Sequence, residues 1–303
     1  MNDEAGFIDF DFHLLTEAPW SVVVLAVAVD AVLLVIANLI ILPFFQSSFP
    51  VERFTAGLIQ PTLIFSAMRF LLAVVGVGIV AGGLRARDVG LDGDKLSNGA
   101  LMVFGLWTVM QLVGMLPRLI SSGEVALSPI WTPEKLPLIA GELIAQLFGN
   151  AFVEEVLFRG FLLTQVTLML NERISSRGWR VTATVLISQL IFALSHIPQR
   201  IVSGYSLAAL GPNLIQLWLV GIVFAVLYLR TENVFIAVGV HTLVNAPVTI
   251  LSMPSEAVAV FLPLILALVL IAVWEPLVGL IERRGDAVQQ SPNAVKQLMQ
   301  SQR

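Results

Sequence analysis

The segment from Asn150 to Gly160 reads N-A-F-V-E-E-V-L-F-R-G and lies inside an apolar run from Leu136 to about Leu170. Each charge at the centre of a membrane helix costs roughly 2.5–3.5 kcal/mol on insertion scales. Glu154, Glu155 and Arg159 would together cost on the order of 8–10 kcal/mol if nothing compensated. Such a cluster belongs in a bundle interior or a wet cavity, with partners. Glu155 and Arg159 are four apart and share a helix face, so the guanidinium can neutralise that carboxylate. Glu154 points about 100° away, as 3.6 residues per turn requires. It is left without an intrahelical cation, which suits a general base or acid. Gln146, Asn150 and Glu154 form a slowly drifting polar stripe on the same helix.

Two later apolar runs carry the remaining candidates. His241 and Asn245 are four apart and project together. Imidazole and carboxamide can both donate hydrogen bonds, as an oxyanion site needs. His196 ends another run, in F-A-L-S-H-I-P. Glu154, His196, His241 and Asn245 around one water would supply the parts for peptide-bond hydrolysis: a base, and donors for the developing oxyanion. A second arrangement is open. Two histidines and a glutamate are also the ligand set of a catalytic zinc site, which makes Glu154, His196 and His241 candidate metal ligands. No H-E-x-x-H occurs, so the ordinary zincin helix is excluded. Taken singly, each feature has a plain reading: a membrane histidine as an interhelical hydrogen bond, a Glu–Arg pair as structural glue. Jointly, E-E-x-x-x-R, F-x-x-x-H and H-x-x-x-N on three apolar runs exceed what packing requires.

The elements that must position these groups follow from composition. Of 303 residues, 57% are hydrophobic and 13% charged, against about 25% charged in soluble domains. The expected fold is all-α, a polytopic membrane bundle of about eight transmembrane helices, each near the ~20 residues a bilayer needs. The spans fall at about 20–45, 55–80, 98–119, 136–170, 181–197, 214–229, 234–251 and 257–273. The fourth, about 34 residues, would measure roughly 51 Å against a ~30 Å hydrocarbon core, so it must protrude, tilt or kink. By the same rise, His196 comes out several ångströms too deep to meet Glu154 and His241, unless the fifth helix tilts or starts elsewhere. Asp30 and Arg69, on the first two spans, could pair, or each could snorkel or meet water.

Residues 1–19 read as a polar exposed arm holding a solvated His13. Residues 20–135 read as N-terminal membrane helices and loops, and 136–251 as the core bearing the motifs. Residues 252–281 read as the last membrane helix, and 282–303 as a polar tail too poor in apolar residues to fold alone. Without cysteine there is no disulfide or thiolate chemistry. A net charge of −4 with no basic block excludes nucleic acid as a partner. Eight spans put both termini on one side. Loop lysines and arginines number eleven on that side and four on the other, with Arg69 and Arg159 inside the membrane. The positive-inside rule then makes this a multi-pass cell-membrane protein with both termini cytoplasmic.

Glu154-Glu155-x-x-x-Arg159, Phe192-x-x-x-His196 and His241-x-x-x-Asn245 resemble, in order, the three motifs of the CPBP intramembrane proteases. That group comprises type II CAAX endopeptidases and bacteriocin-immunity (Abi) proteins. Asn150 and Phe158-Arg159-Gly160-Phe161 look like the usual flanks, and the resemblance covers roughly residues 136 to 249. It implies a protease with its site inside the membrane, acting on a membrane-associated peptide or protein. In eukaryotic and archaeal relatives this is a prenylated CAAX protein that loses its last three residues. By position, Glu154 and His196 would activate water, His241 and Asn245 would form the oxyanion site, and Glu155 and Arg159 would support them. Family names often say metalloprotease, with zinc the candidate cofactor, whereas the glutamate mechanism favoured here needs no metal. Two other classes stand beside the protease. One is a non-catalytic membrane binding protein, such as an immunity factor that sequesters a toxin or sensor. The other is a proton-coupled transporter, although the internal repeats typical of those folds are not seen.

Overall fold

The computed structural model describes residues 10–300 and, apart from His13 and Gln46, their side chains as far as Gly279. Residues 1–9 of the expected arm and 301–303 of the expected tail lie outside the described residues. The regular elements are helices: α1 Trp20–Phe45, α2 Pro61–Ala81, α3 Gly93–Ser122, α4 Leu136–Met169, α5 Arg177–Val202, α6 Leu207–Thr231, α7 Val234–Asn245 and α8 Glu256–Gln300. Seven are long and apolar enough to cross a membrane, α8 by its Glu256–Gly279 part, and α7 is the shorter apolar helix. Among the described residues, pairing of β type is confined to one isolated antiparallel bridge, Leu127 with Leu251. The fold is an all-α polytopic bundle.

Helix α4 is the rod around which the others stand. From Val153 to Thr167 every residue is buried, the signature of a helix covered on all sides. Gly160 lets a loop reach it: a Cβ there would fall on the Val89 carbonyl. The excess length of α4 is absorbed by a break at Phe148-Gly149, where Gly149 adopts φ −125°, ψ −105°. A Cβ on Gly149 would strike the Ala145 carbonyl. Beyond the break, Glu155–Leu163 is wound in wider i→i+5 turns, a geometry often found at functional sites. In α5 the helix ends at Ser195 and restarts at Ile197, with Pro198 in the new first turn. The expected fifth span therefore starts earlier and ends later than read, with a break at His196.

Besides the tail, where α8 continues in helix to Gln300 instead of ending near residue 281, two expectations are corrected. The seventh span does not run to residue 251, because α7 stops at Asn245. Pro247 explains the stop, since the residue before proline is driven out of the α region. The non-helical stretch that follows is satisfied by protein, as lipid-exposed backbone must be. Trp107 Nε1 and Gln111 Nε2 donate to the Val248 carbonyl at 2.7 and 3.1 Å, and Trp131 Nε1 donates to the Thr249 carbonyl at 2.8 Å. Gln111 Oε1 accepts from the Ile250 and Leu251 amides. Arg230, at the end of α6, donates to Glu275 and to the Ile271 carbonyl, so α8 runs back antiparallel to α7.

The second correction is the arm. Residues 10–19 are only partly exposed: Leu14, Thr16 and Glu17 face outward, but Phe10, Phe12 and Ala18 are buried against α4 and α6. Buried Gln165 holds the arm's backbone, accepting from the Ala18 amide at 2.7 Å and donating to the Thr16 carbonyl at 3.0 Å. Asp88 accepts from the Thr16 amide, the Arg85 amide and the Arg85 guanidinium. Burial pushes the Asp88 carboxyl up, but those hydrogen bonds and the Arg85 charge together outweigh it and hold it below its ordinary 3.8. A depressed carboxyl contributes stability above its unfolded value, about pH 4, and loses it as pH falls through the lower folded value. Arm docking should therefore hold at neutral pH and weaken only in acid, whereas Asp88→Asn should weaken it at every pH. Limited proteolysis within residues 10–19 reads this, and equal protection of variant and parent at pH 7 would remove Asp88 from the anchor.

Candidate active site

All four residues proposed for chemistry line one cavity of about 440 Å³: Glu154, His196, His241 and Asn245. Gln146 and Asn150 line it too, so the polar stripe of α4 faces it despite the break in the helix. Glu142, on the same run, is exposed and not on its wall. The expected depth conflict for His196 does not arise, since it lines the same cavity as Glu154 and His241.

The supporting pair is fully enclosed. Arg159 Nη1 donates to Glu155 Oε1 at 3.0 Å, with both side chains at 0% exposure. The guanidinium lies 4.3 Å from the Phe192 ring centroid and donates to the Gly221 carbonyl of α6. The same Glu155 oxygen is 2.7 Å from His241 Nδ1. A carboxylate engaged by arginine only accepts, so Nδ1 donates, and Nε2 is turned toward Glu154, 3.7 Å from its Oε2. The ring is stacked on Phe224 at 4.7 Å and 23°. His241 is thus fixed in position, tilt and tautomer by groups from α4 and α6.

His196 is held differently. Its Nδ1 is 2.8 Å from the Phe192 carbonyl, which can only accept, so Nδ1 carries the proton. In the neutral ring Nε2 then bears the lone pair. Asn245, the last residue of α7, donates to Gln146 Oε1 at 3.0 Å and is exposed. One amide N–H remains for another acceptor.

One neighbour of the site was missed in the sequence. Arg69 makes a two-pronged bond to Asp30, Nε to Oδ1 at 2.7 Å and Nη2 to Oδ2 at 3.0 Å. Pairing of those two was one of the readings, but not its location. Arg69 Nη1 has no hydrogen-bond partner and sits 4.0 Å from Glu154 Oε1. Two charged residues on separate helices can be suspected of pairing, but nothing in their spacing says which third helix they face.

Zinc requires a grouped donor set. Among the described residues no three His, Cys, Asp or Glu side chains are placed to hold a metal ion. The geometry does not support the site considered for Glu154, His196 and His241.

Residues 136–247 match the family model described as Rce1-like, type II CAAX prenyl endopeptidase. The match spans just over a third of the chain, from the start of α4 through α7, and agrees with the resemblance carried by the three motifs. No curated protein and no solved structure matches the chain. The matched family is one of membrane-embedded peptidases of CAAX type, and seven long apolar helices make this an integral multi-pass membrane protein.

Removing one partner of a buried ion pair costs about 3–5 kcal/mol, because the other charge is stranded. Arg159→Met and Glu155→Gln should each lower the melting temperature of the detergent-solubilised protein sharply, and the double variant should recover much of the loss. Single variants that melt like the parent would show that the pair is dispensable to the fold.

Proposed function

We propose that this protein is an intramembrane endopeptidase that hydrolyses a peptide bond of a membrane-associated substrate by a glutamate-based mechanism. One observation carries the reading: Glu154, His196, His241 and Asn245 face a single cavity, and His241 is locked by Glu155 and Arg159.

Each group has a role its hydrogen bonding permits. Glu154 takes a proton from a water, whose oxygen attacks the carbonyl carbon. His196 Nε2 accepts from the same water's second hydrogen and so orients it. The carbonyl oxygen becomes an oxyanion held by His241 Nε2–H and the free Asn245 amide N–H. For Nε2 to donate, the ring must carry a second proton. Glu154 then passes its proton to the departing nitrogen and the C–N bond breaks, which gives a carboxylic acid and an amine; the acid's remaining hydroxyl proton passes to the amine, so that a carboxylate and an ammonium leave.

The sidedness follows from charge. The end of the bundle with the docked arm carries Arg85, Arg87, Lys95, Arg173, Arg177, Arg180 and Arg230, which the positive-inside rule assigns to the cytoplasm. The cavity wall comes from the other ends of α1, α5 and α6, at Leu42, Gln199 and Asn213. The substrate therefore enters from the half of the membrane away from the cytoplasm.

Glu154→Gln should cut turnover by about 10²–10⁴-fold, the range of general-base contributions, with little change in melting temperature. Comparison of peptide ends in membranes with and without the variant provides the assay. Undiminished processing would remove the base, and an immunity phenotype that survives His196→Ala and His241→Ala would favour a binding protein instead. The chain has no cysteine, so orientation can be read from single-cysteine variants. Ser203→Cys should react with an impermeant maleimide in intact cells, and Ser176→Cys only after permeabilisation. The reverse pattern would invert the assignment.

A further inference from the structure

Three arginines stand on or beside the cavity, and two have a carboxylate of their own. Arg69 has Asp30 and Arg159 has Glu155. The third, Arg200, lines the cavity wall itself. It belongs to the short second piece of α5, Ile197–Val202, and its amide donates to the His196 carbonyl at 3.1 Å. His196 and Arg200 therefore lie one turn apart on the same side of the chain.

The guanidinium is set by neutral groups. Its Nε donates to Asn213 Oδ1 of α6 at 2.7 Å, and its Nη1 reaches Gln199 Oε1 at 3.4 Å. It lies 5.4 Å from the centroid of the Tyr205 ring. Among the described residues no carboxylate is paired with it. A guanidinium without a carboxylate of its own can receive an anion, and its planar fork fits a carboxylate in two-pronged fashion. With Nε on Asn213 and one Nη1 hydrogen on Gln199, the second Nη1 hydrogen and Nη2 remain for another acceptor. The amides of Gln199, Asn213 and Gln216 share that wall, and they can pair with peptide backbone.

We propose that Arg200, held by Asn213 and Tyr205, is a binding subsite for a carboxylate of the substrate peptide. The proposal rests on the endopeptidase reading and adds a substrate class to it: peptides with an acidic group close to the cleaved bond. Four helical residues separate the Cα atoms of His196 and Arg200 by about 6 Å along the axis, and an extended peptide advances about 3.3 Å per residue. The carboxylate therefore lies a few residues from the bond attacked beside His196. It is either the chain terminus or an Asp or Glu side chain.

The test uses the full chain in vesicles of zwitterionic phosphatidylcholine and three pools of palmitoylated random decapeptides. The first pool has free carboxyl termini and no internal Asp or Glu. The second is the same pool amidated, and the third is amidated with one Asp near the terminus. Products are read by mass spectrometry. The parent should cleave the first or third pool about tenfold or more faster than the second, the scale of one charge-assisted hydrogen-bonded pair, and the favoured pool identifies the source of the carboxylate. Arg200→Gln should collapse that ratio to about one, and Arg200→Lys should restore part of it. A purely structural role would slow all pools by the same factor and leave the ratio intact, which overturns the subsite. So does a parent with no preference among the pools. If phosphatidylglycerol in the vesicles, rather than the peptide carboxylate, governs the effect of Arg200→Gln, the guanidinium meets a lipid headgroup and the proposal is likewise overturned. Parent activity that survives Glu154→Gln defeats the glutamate mechanism separately, and a parent that cleaves no pool defeats the endopeptidase reading and this subsite with it.

Discussion

A carboxylate shared between a guanidinium and an imidazole on different helices is the contact on which the rest of the site depends. Glu155 Oε1 accepts from Arg159 within α4 and from His241 of α7 at 2.7 Å. Full burial makes either charge untenable alone, since an unpaired ion inside a protein costs several kcal/mol. The same low dielectric makes the pairing strongly directional. Because Glu155 occupies Nδ1, His241 has one remaining nitrogen, and that nitrogen looks toward Glu154. The orientation of an imidazole in the cavity is therefore decided by a residue that does not line it.

The polar groups of the cavity sit at interruptions in their helices. Glu154 follows the break at Gly149 and precedes the wide turns of α4. His196 is the hinge residue between the two pieces of α5, and Asn245 ends α7 ahead of Pro247. Irregular backbone at membrane depth is tolerated only where it is buried in protein or lines a cavity. Gly149, Pro198 and Pro247 thus bend or end helices where polar side chains need room. The stretch after Asn245 meets the same requirement through Trp107, Gln111 and Trp131, which satisfy its carbonyls and amides one by one.

The part of the chain outside the family match is not a passive scaffold. Asp30 and Arg69 come from α1 and α2, yet Arg69 carries its unpartnered nitrogen to within 4.0 Å of Glu154. A guanidinium already neutralised by Asp30 adds a positive field at Glu154 without adding net charge to the membrane interior. The docked arm acts at the other end of α4, where Gln165 and Asp88 hold its backbone. Helix α4 is in this way clamped by the N-terminal segments at both of its functional regions.

Features governed by helical periodicity could be read from residue order. The four-residue spacing of Glu155 and Arg159 predicted their pair, and the same spacing predicted that His241 and Asn245 face one cavity. Length against bilayer thickness predicted that α4 must deform. Features governed by which neighbour a residue meets could not be read. The apolar residues of positions 10–19 look like an exposed arm until Gln165, some 150 residues later, is found holding them. The end of α7 was misplaced because hydropathy continues past Asn245 while Pro247 stops the helix. The placement of Arg69 beside Glu154, and of Arg200 on the cavity wall without an acid, depends on how separate helices rotate and tilt against one another. Residue order along one helix determines which side chains share its face, but only packing among helices decides what that face meets.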